Sequence, residues 1–229
     1  MRLRDATVAV VGAGGIGSPV IQYLAAAGVG RLLIIDDDRI EASNLQRQVI
    51  FDSAMQGRSK AAESGHAARR LNPLIKVAAI EKRLRADNAE RLLADADAIV
   101  DGCDNFTTRL AVADAALALR VPLVSAAVGQ FDGQLAVYRG WETDKPCYRC
   151  LVGDEPDQLA ASCADAGILG PVTGVLGSLA ALEAIRAIVP FGDDPAGRLL
   201  LVDLLAWRFR TLALPKDPGC PACGQPSSD

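Results

Sequence analysis

Four cysteines fall in two pairs of equal spacing, Cys147-Tyr148-Arg149-Cys150 and Cys220-Pro221-Ala222-Cys223. Two intervening residues let both thiolates of a pair reach one ion, and two such knuckles complete a closed, tetrahedral four-cysteine zinc site. A closed site has no open position for water, so its expected role is structural: it ties the C-terminus to the middle of the chain. Structural zinc in small peptides contributes roughly 10–16 kcal/mol. Neither pair opens a helix within a thioredoxin-like βαβ unit, which weighs against redox chemistry. A second set of residues suits phosphate. Asn44 and Arg47 stand in Ser43-Asn44-Leu45-Gln46-Arg47-Gln48, and Lys60 closes Gly57-Arg58-Ser59-Lys60. A carboxylate, an amide and an arginine gather in Gly102-Cys103-Asp104-Asn105-Phe106-Thr107-Thr108-Arg109.

The elements that must position these residues begin with Val8-Ala9-Val10-Val11-Gly12-Ala13-Gly14-Gly15-Ile16-Gly17 and Leu32-Leu33-Ile34-Ile35-Asp36. A β-branched strand runs into a glycine turn, the turn opens a helix, and a second strand ends on a carboxylate. That is the nucleotide-binding βαβ pattern. Gly12 permits the sharp turn, Gly14 lets backbone approach phosphate, and Gly17 lets the helix pack closely on the strand. The helix N-terminus offers free N–H groups to an anion, and Asp36 is placed to accept from ribose hydroxyls. Many dehydrogenases share this turn, so it does not by itself separate ATP from NAD.

Further strands are expected at Lys76–Glu81, Ala98–Asp101, Pro122–Ala126, Phe131–Tyr138, Arg198–Val202 and Arg208–Leu214. Helices are expected from Lys60 to Leu71, from Asp87 to Ala94, to about Arg120, and from Pro171 to Ile188. The Ser43–Gln48 loop follows the second strand at its carboxyl end, where doubly wound sheets keep their ligands. Lys60 stands in the first turn of a helix, where the dipole disfavours a cation. A bound polyphosphate explains it, and so does a solvated helix-start lysine. Asp104 is equally open to a second reading, as the N-cap of the next helix. Gly170, Gly174 and Gly177 permit close packing of the apolar helix, against another helix or a second subunit. The character of the sequence changes near Gly140: α and β alternate before it, and the knuckles and the aperiodic stretch 153–164 follow it.

The chain has 229 residues, half of them hydrophobic, and a net charge of -4, which suits a sizeable core and argues against a nucleic-acid surface. The apolar stretch 168–191 is interrupted by Pro171, Glu183 and Arg186, so a membrane span is not expected. No signal peptide is recognised, and a cytoplasmic protein is expected. In that setting paired cysteines favour metal over disulfides.

Taken in order, the glycine turn with Asp36, Ser43–Gln48, Lys60, Cys103-Asp104-Asn105 with Arg109, and the two cysteine pairs resemble the ThiF/MoeB/HesA family, bacterial relatives of ubiquitin-activating enzymes. The resemblance covers essentially the whole chain. It implies a Rossmann-like, doubly wound α/β fold: a mainly parallel sheet with an antiparallel C-terminal extension and the four-cysteine zinc site. One domain over 1–229 is expected, with a nucleotide-binding core at 1–139. Residues 140–229 then supply the knuckles, a crossover loop, the C-terminal helix and the last strands.

By the same resemblance the chain is an ATP-dependent adenylyltransferase. It would join the C-terminal Gly-Gly carboxylate of a ubiquitin-like sulfur carrier, ThiS-type or MoaD-type, to AMP for thiamine or molybdopterin biosynthesis. Gly15 and Asp36 would hold the nucleotide, Asn44, Arg47 and Lys60 the phosphates, and Asp104, beside Asn105, Mg²⁺. Attack of one anion on another needs cations to neutralise the accumulating charge, and a carboxylate nucleophile needs no base. A chain whose single histidine, His66, lies mid-helix is compatible with that. Cys163 matches a cysteine that takes part in covalent sulfur transfer in the thiamine branch; a small packing cysteine is the other reading. Cys103 is expected in the core. A homodimer is expected, with sulfur supplied by a separate cysteine desulfurase or rhodanese. Family members usually begin with helices whose arginine-rich segment enters the partner's ATP site, and nothing in this sequence matches that segment. A carrier-binding module without chemistry is one alternative, and an NAD-dependent oxidoreductase, which leaves Asn44, Arg47 and Lys60 idle, is another.

Overall fold

Strands buried on both faces read as near-continuous apolar runs, and two such runs lie inside the parallel part of the sheet. They are β1 (Thr7–Val11) and β2 (Arg31–Ile35), each buried over its last four residues. The structure is a computed structural model and describes residues 3–153 and 167–224. With β3 (Lys76–Ile80), β4 (Ala98–Asp101) and β5 (Leu123–Val128), the two form a parallel sheet in the order β3-β2-β1-β4-β5. The antiparallel strands β6 (Asp132–Tyr138), β7 (Arg198–Asp203) and β8 (Arg208–Ala213) then extend it to eight strands. The register pairs Val11 with both Ile35 and Asp101. The glycine turn, Asp36 and Gly102 therefore leave the sheet at one level. They do so on either side of the β1–β4 boundary, where the strand order reverses and open α/β sheets bind ligands.

Two helical layers cover the sheet. One face packs α1 (Gly17–Ala27), α2 (Lys60–Leu71) and a long helix, Gly170–Ile188, against Val8, Val10, Leu32, Ile34 and Val100. The other packs α3 (Ala89–Leu93) and α4 (Phe106–Leu119) against Ala9, Val11, Leu33 and Ile99. Among the described residues the long helix is the sixth α-helix, α6, because a one-turn helix α5 (Arg149–Val152) begins inside the first cysteine pair. The sequence indicates no helix there. Helix α3 is shorter than its expected span, Asp87–Ala94.

Helix α6 has the length and apolarity of a membrane span, yet 44 % of that window is buried within the fold. Two of its glycines explain the fit. A Cβ on Gly177 would lie 2.4 Å from Pro19 Cγ and 2.6 Å from the Ile16 carbonyl oxygen, and one on Gly170 would lie 2.2 Å from the Gln46 carbonyl oxygen. Backbone contact with α1 and with the Ser43–Gln48 loop thus accounts for both. Gly174 faces open space.

Candidate nucleotide site and cysteine cage

The glycine turn is held from three sides. The Gly12 N–H donates to the Ile35 carbonyl at 2.9 Å, and the Gly102 N–H to that of Val11 at 3.0 Å. Gly12 has φ +88°, a backbone region that side chains disfavour. A Cβ on Gly17 would lie 2.0 Å from the Gly12 carbonyl oxygen, so the helix can start this close to the turn only with glycine there. Asp36 accepts from the Ala13 N–H at 2.7 Å and from the Asp38 N–H at 2.8 Å. Its carboxylate therefore braces the turn. Burial pushes the Asp36 pKa up, while those two N–H groups and the Lys60 charge pull against it.

Gly14 and Gly15 behave differently. A Cβ on Gly14 would meet only Gln48 Nε2, at 3.7 Å, so the backbone here is open to a ligand. Gln48 is 4 % exposed, and its Oε1 has no hydrogen-bond partner among the described residues. An orphaned buried amide beside a bare glycine backbone fits a cradle for a polar ligand. Gly15 instead lies under α6: a Cβ there would come within 2.9 Å of Thr173 Cγ2. Thr173 donates to the Gly170 carbonyl at 2.7 Å and reaches the Arg47 carbonyl at 3.4 Å. The start of α6 thus seats both the turn and the Ser43–Gln48 loop, and nothing in the local sequence around Thr173 signals that role.

Lys60 is not a solvated helix-start lysine. It is 5 % exposed, and its ammonium donates to Asp38 Oδ2 at 2.9 Å. Asp38 in turn donates its N–H to Asp36, so the cation is tied to the glycine turn through two carboxylates. Ser59 caps α2, accepting from the Ala62 N–H at 3.2 Å. Asn44 ends a 3-10 turn, Ala42–Asn44. Its carbonyl accepts from the Arg47 and Gln48 N–H groups at 3.1 and 3.0 Å, while its side-chain amide has no partner among the described residues. The half-buried Arg47 donates to the Ser43 carbonyl at 3.1 Å.

The turn after β4 corrects one expectation. Asn105, not Asp104, caps α4: its Oδ1 accepts from the Thr108 N–H at 2.9 Å. The geometry explains the choice, since Asn105 has the extended backbone of an N-cap and the side chain three residues before the N–H it receives. Asp104 is exposed and makes no hydrogen bond or ion pair among the described residues. Arg109 turns inward, with 7 % exposure, and so does not join a phosphate cluster. It donates to the Cys103 carbonyl and to the Ala126 carbonyl, both at 2.7 Å. Burial acts against its charge, but Asp101 and Tyr148 together more than offset it and raise the guanidinium pKa. Cys103 lies mostly in the core, as expected, with burial and Asp101 pushing its thiol well up.

Away from this crevice the four knuckle cysteines meet. Their Sγ atoms all lie within 4.8 Å of one another, with separations of 3.4 Å for Cys150–Cys223, 3.6 Å for Cys147–Cys220 and 3.9 Å for Cys147–Cys150. A tetrahedron of thiolates about 2.3 Å from a zinc ion has an edge of about 3.8 Å, so the cage suits such an ion. The cysteines are free thiols. Burial pushes those of Cys147 and Cys223 up, the latter to about 11. Burial also acts upward on Cys220, but the Cys223 and Ala222 N–H groups bring it below its usual value. The Asp217 N–H points at Cys150 Sγ at 3.5 Å. Glycine permits the close approaches: a Cβ on Gly140 would lie 2.5 Å from Cys147 Cβ. Cys163 lies outside the described residues.

Comparison with known proteins places this geometry. Residues 1–222 match the ThiF family. The chain is 47 % identical over 227 residues to the sulfur carrier protein adenylyltransferase of Thermus thermophilus, covering 97 % of this chain and 84 % of that protein. It is 45 % identical over 227 residues to the bovine adenylyltransferase and sulfurtransferase MOCS3, covering 98 % of this chain but 50 % of that longer protein. Among solved structures, Escherichia coli MccB superposes with a TM-score of 0.84 over 97 % of this chain and 67 % of MccB, at 24 % identity, a likeness of fold. The chain is a member of the ThiF family.

Proposed function

We propose that this protein activates a ubiquitin-like sulfur carrier by adenylylation, with ATP as the second substrate. A terminal Gly-Gly carboxylate oxygen of the carrier attacks the α-phosphorus of ATP. An acyl–O–P bond forms, the bond to pyrophosphate breaks, and carrier-AMP and pyrophosphate leave. The carrier's own carboxylate is the nucleophile, so no protein base has to take a proton.

The observation that carries this reading is Lys60. A buried ammonium, tied through Asp38 and Asp36 to a bare glycine turn, is poised for a polyanion and has no part in hydride transfer. In this reading Gly12, Gly14, Gly15 and Gly17 with the α1 N-terminus receive the triphosphate, and Asp36 the ribose. Asn44, Arg47 and Lys60 neutralise the phosphates, and the unpartnered Asp104, beside Asn105, holds Mg²⁺, which supplies further neutralising charge when bound. Cys147, Cys150, Cys220 and Cys223 hold a structural zinc ion. Cys163 as a sulfur-transfer residue, a separate sulfur donor, a homodimeric assembly and a cytoplasmic setting belong to the same reading, on the family resemblance. The carrier is of ThiS or MoaD type.

The test is incubation with ATP, Mg²⁺ and each carrier in turn, followed by intact-mass measurement. The expected product is a carrier heavier by one adenylate, formed with at least one of the two. An unmodified carrier in both incubations, with the chain folded and ATP bound, overturns the proposal.

A further inference from the structure

The proposed reaction assigns work to Asp104 but none to the two buried charges beneath it. Asp101 is 1 % exposed and ends β4; Arg109 is 7 % exposed and stands in the first turns of α4. Between them runs the short turn that carries Asp104. Cys103, the residue before Asp104, is held at both backbone groups: its N–H donates to Asp101 Oδ1 at 3.0 Å, and its carbonyl accepts from Arg109 Nε at 2.7 Å. The next residue, Asn105, is fixed by capping α4. Asp104 is thus exposed and unpartnered among the described residues, between two neighbours that are each held by hydrogen bonds.

The clamp reaches further. Arg109 uses its second arm on the Ala126 carbonyl of β5 at 2.7 Å, and Asp101 Oδ2 accepts from the Ser125 hydroxyl at 2.9 Å. Both charges are therefore anchored to the neighbouring strand. Tyr148, which stands between the cysteines of the first knuckle, has its ring edge-on to Tyr138 at 5.6 Å; burial pushes its hydroxyl pKa up, and the Arg109 charge acts against that. Burying an ion pair is weak evidence for stability, because desolvation offsets most of the attraction. Fixing a geometry is a better account of it, since forked guanidinium bonds are directional.

We infer that Asp101 and Arg109 are positioning residues: they hold the Cys103 peptide so that the Asp104 carboxylate stands ready for a divalent cation bound with the nucleotide. The inference rests on the proposed adenylylation for its purpose, but not for its measurement.

The measurement is binding of Mn²⁺–ATP to the full-length protein, by titration calorimetry and by Mn²⁺ paramagnetic resonance, beside binding of ATP without divalent ion. Three variants are compared with the parent: Arg109→Lys, Asp101→Asn and Tyr148→Phe. Lysine keeps the charge but cannot reach both carbonyls. The expected result for Arg109→Lys and Asp101→Asn is an affinity for Mn²⁺–ATP about tenfold weaker, the loss of one charge-assisted hydrogen bond. ATP alone should bind as before, the zinc content should be unchanged, and KM for the metal–nucleotide should rise more than kcat falls. Tyr148→Phe, which keeps the ring contact, should shift the same way by a smaller factor.

Unchanged Mn²⁺–ATP affinity in the folded variants overturns the inference, as does an equal loss of ATP with and without the cation. Should Arg109→Lys and Asp101→Asn fail to fold, an unshifted Tyr148→Phe overturns it too. A parent protein that binds Mn²⁺–ATP but makes no carrier adenylate overturns the proposed function alone.

Discussion

Residue by residue, the charges proposed to meet ligand differ from those that hold the fold. Lys60 is of the first kind, and Lys60→Met is expected to lower carrier-dependent pyrophosphate release at least about a hundredfold, as the loss of a preorganised phosphate contact does. A colorimetric pyrophosphate assay reads this directly, and near-parental activity would remove Lys60 from the site. Spacing exposed Lys60, Arg47 and Asp104 in the sequence because each sits beside a strand end or a helix start. It could not tell Asp104 from Asn105 as the cap, since both are good capping residues and only the backbone decides. Nor could it show Arg109 turning inward to two carbonyls far apart in sequence. Gln48 was legible only as part of its motif; its burial and its orphaned oxygen are tertiary facts.

At the scale of elements, α6 and the glycine turn are fitted to each other. Gly15→Ala would push a methyl group to within 2.9 Å of Thr173 Cγ2, and overpacking of this kind costs about 1–3 kcal/mol. Thr173→Ala should return part of that loss in the double variant, a coupling that urea denaturation of the four proteins can measure; strict additivity would mean that the contact is slack. Before β7, the loop carboxylate Asp194 pairs with Arg139 at the end of β6 and with Lys145. Burial alone would raise its pKa, but the Ala196 N–H and Arg139 hold it below the usual 3.8. A depressed carboxylate contributes stability that is fully present above its unfolded value and is lost as pH falls through the folded one. Asp194→Asn should therefore lower the melting temperature at neutral pH and flatten its decline below about pH 4, with little change at still lower pH; a parallel decline in both proteins would show that the contact is inert. The strands themselves were readable, because β1, β2 and β4 are short β-branched runs with one hydrogen-bonding role. The one-turn helix α5 was not, since four residues carry too little periodicity, whereas α3 was expected but over too long a span.

For the whole molecule, the cage is the tie between the core and the C-terminal strands. Cys147 and Cys150 follow β6, whereas Cys220 and Cys223 follow β8, an edge strand exposed along its whole length. Stripping metal with a thiol-reactive reagent plus chelator is expected to lower the melting temperature by roughly 10 °C or more, given several kcal/mol of metal binding. Cobalt in place of zinc should show the absorption of a tetrahedral thiolate site. An unchanged melting curve on stripping would make the cage incidental. The pairing of the knuckles was legible because the chemistry needs a fixed spacing. The central claim is that a carrier carboxylate attacks ATP in this crevice, and exchange of labelled pyrophosphate into ATP tests it most directly. The account predicts exchange only with a carrier ending in a free Gly-Gly carboxylate, abolished by Lys60→Met and by Asp104→Ala. Exchange that ignores the carrier's terminus, or none with either carrier type, would contradict it.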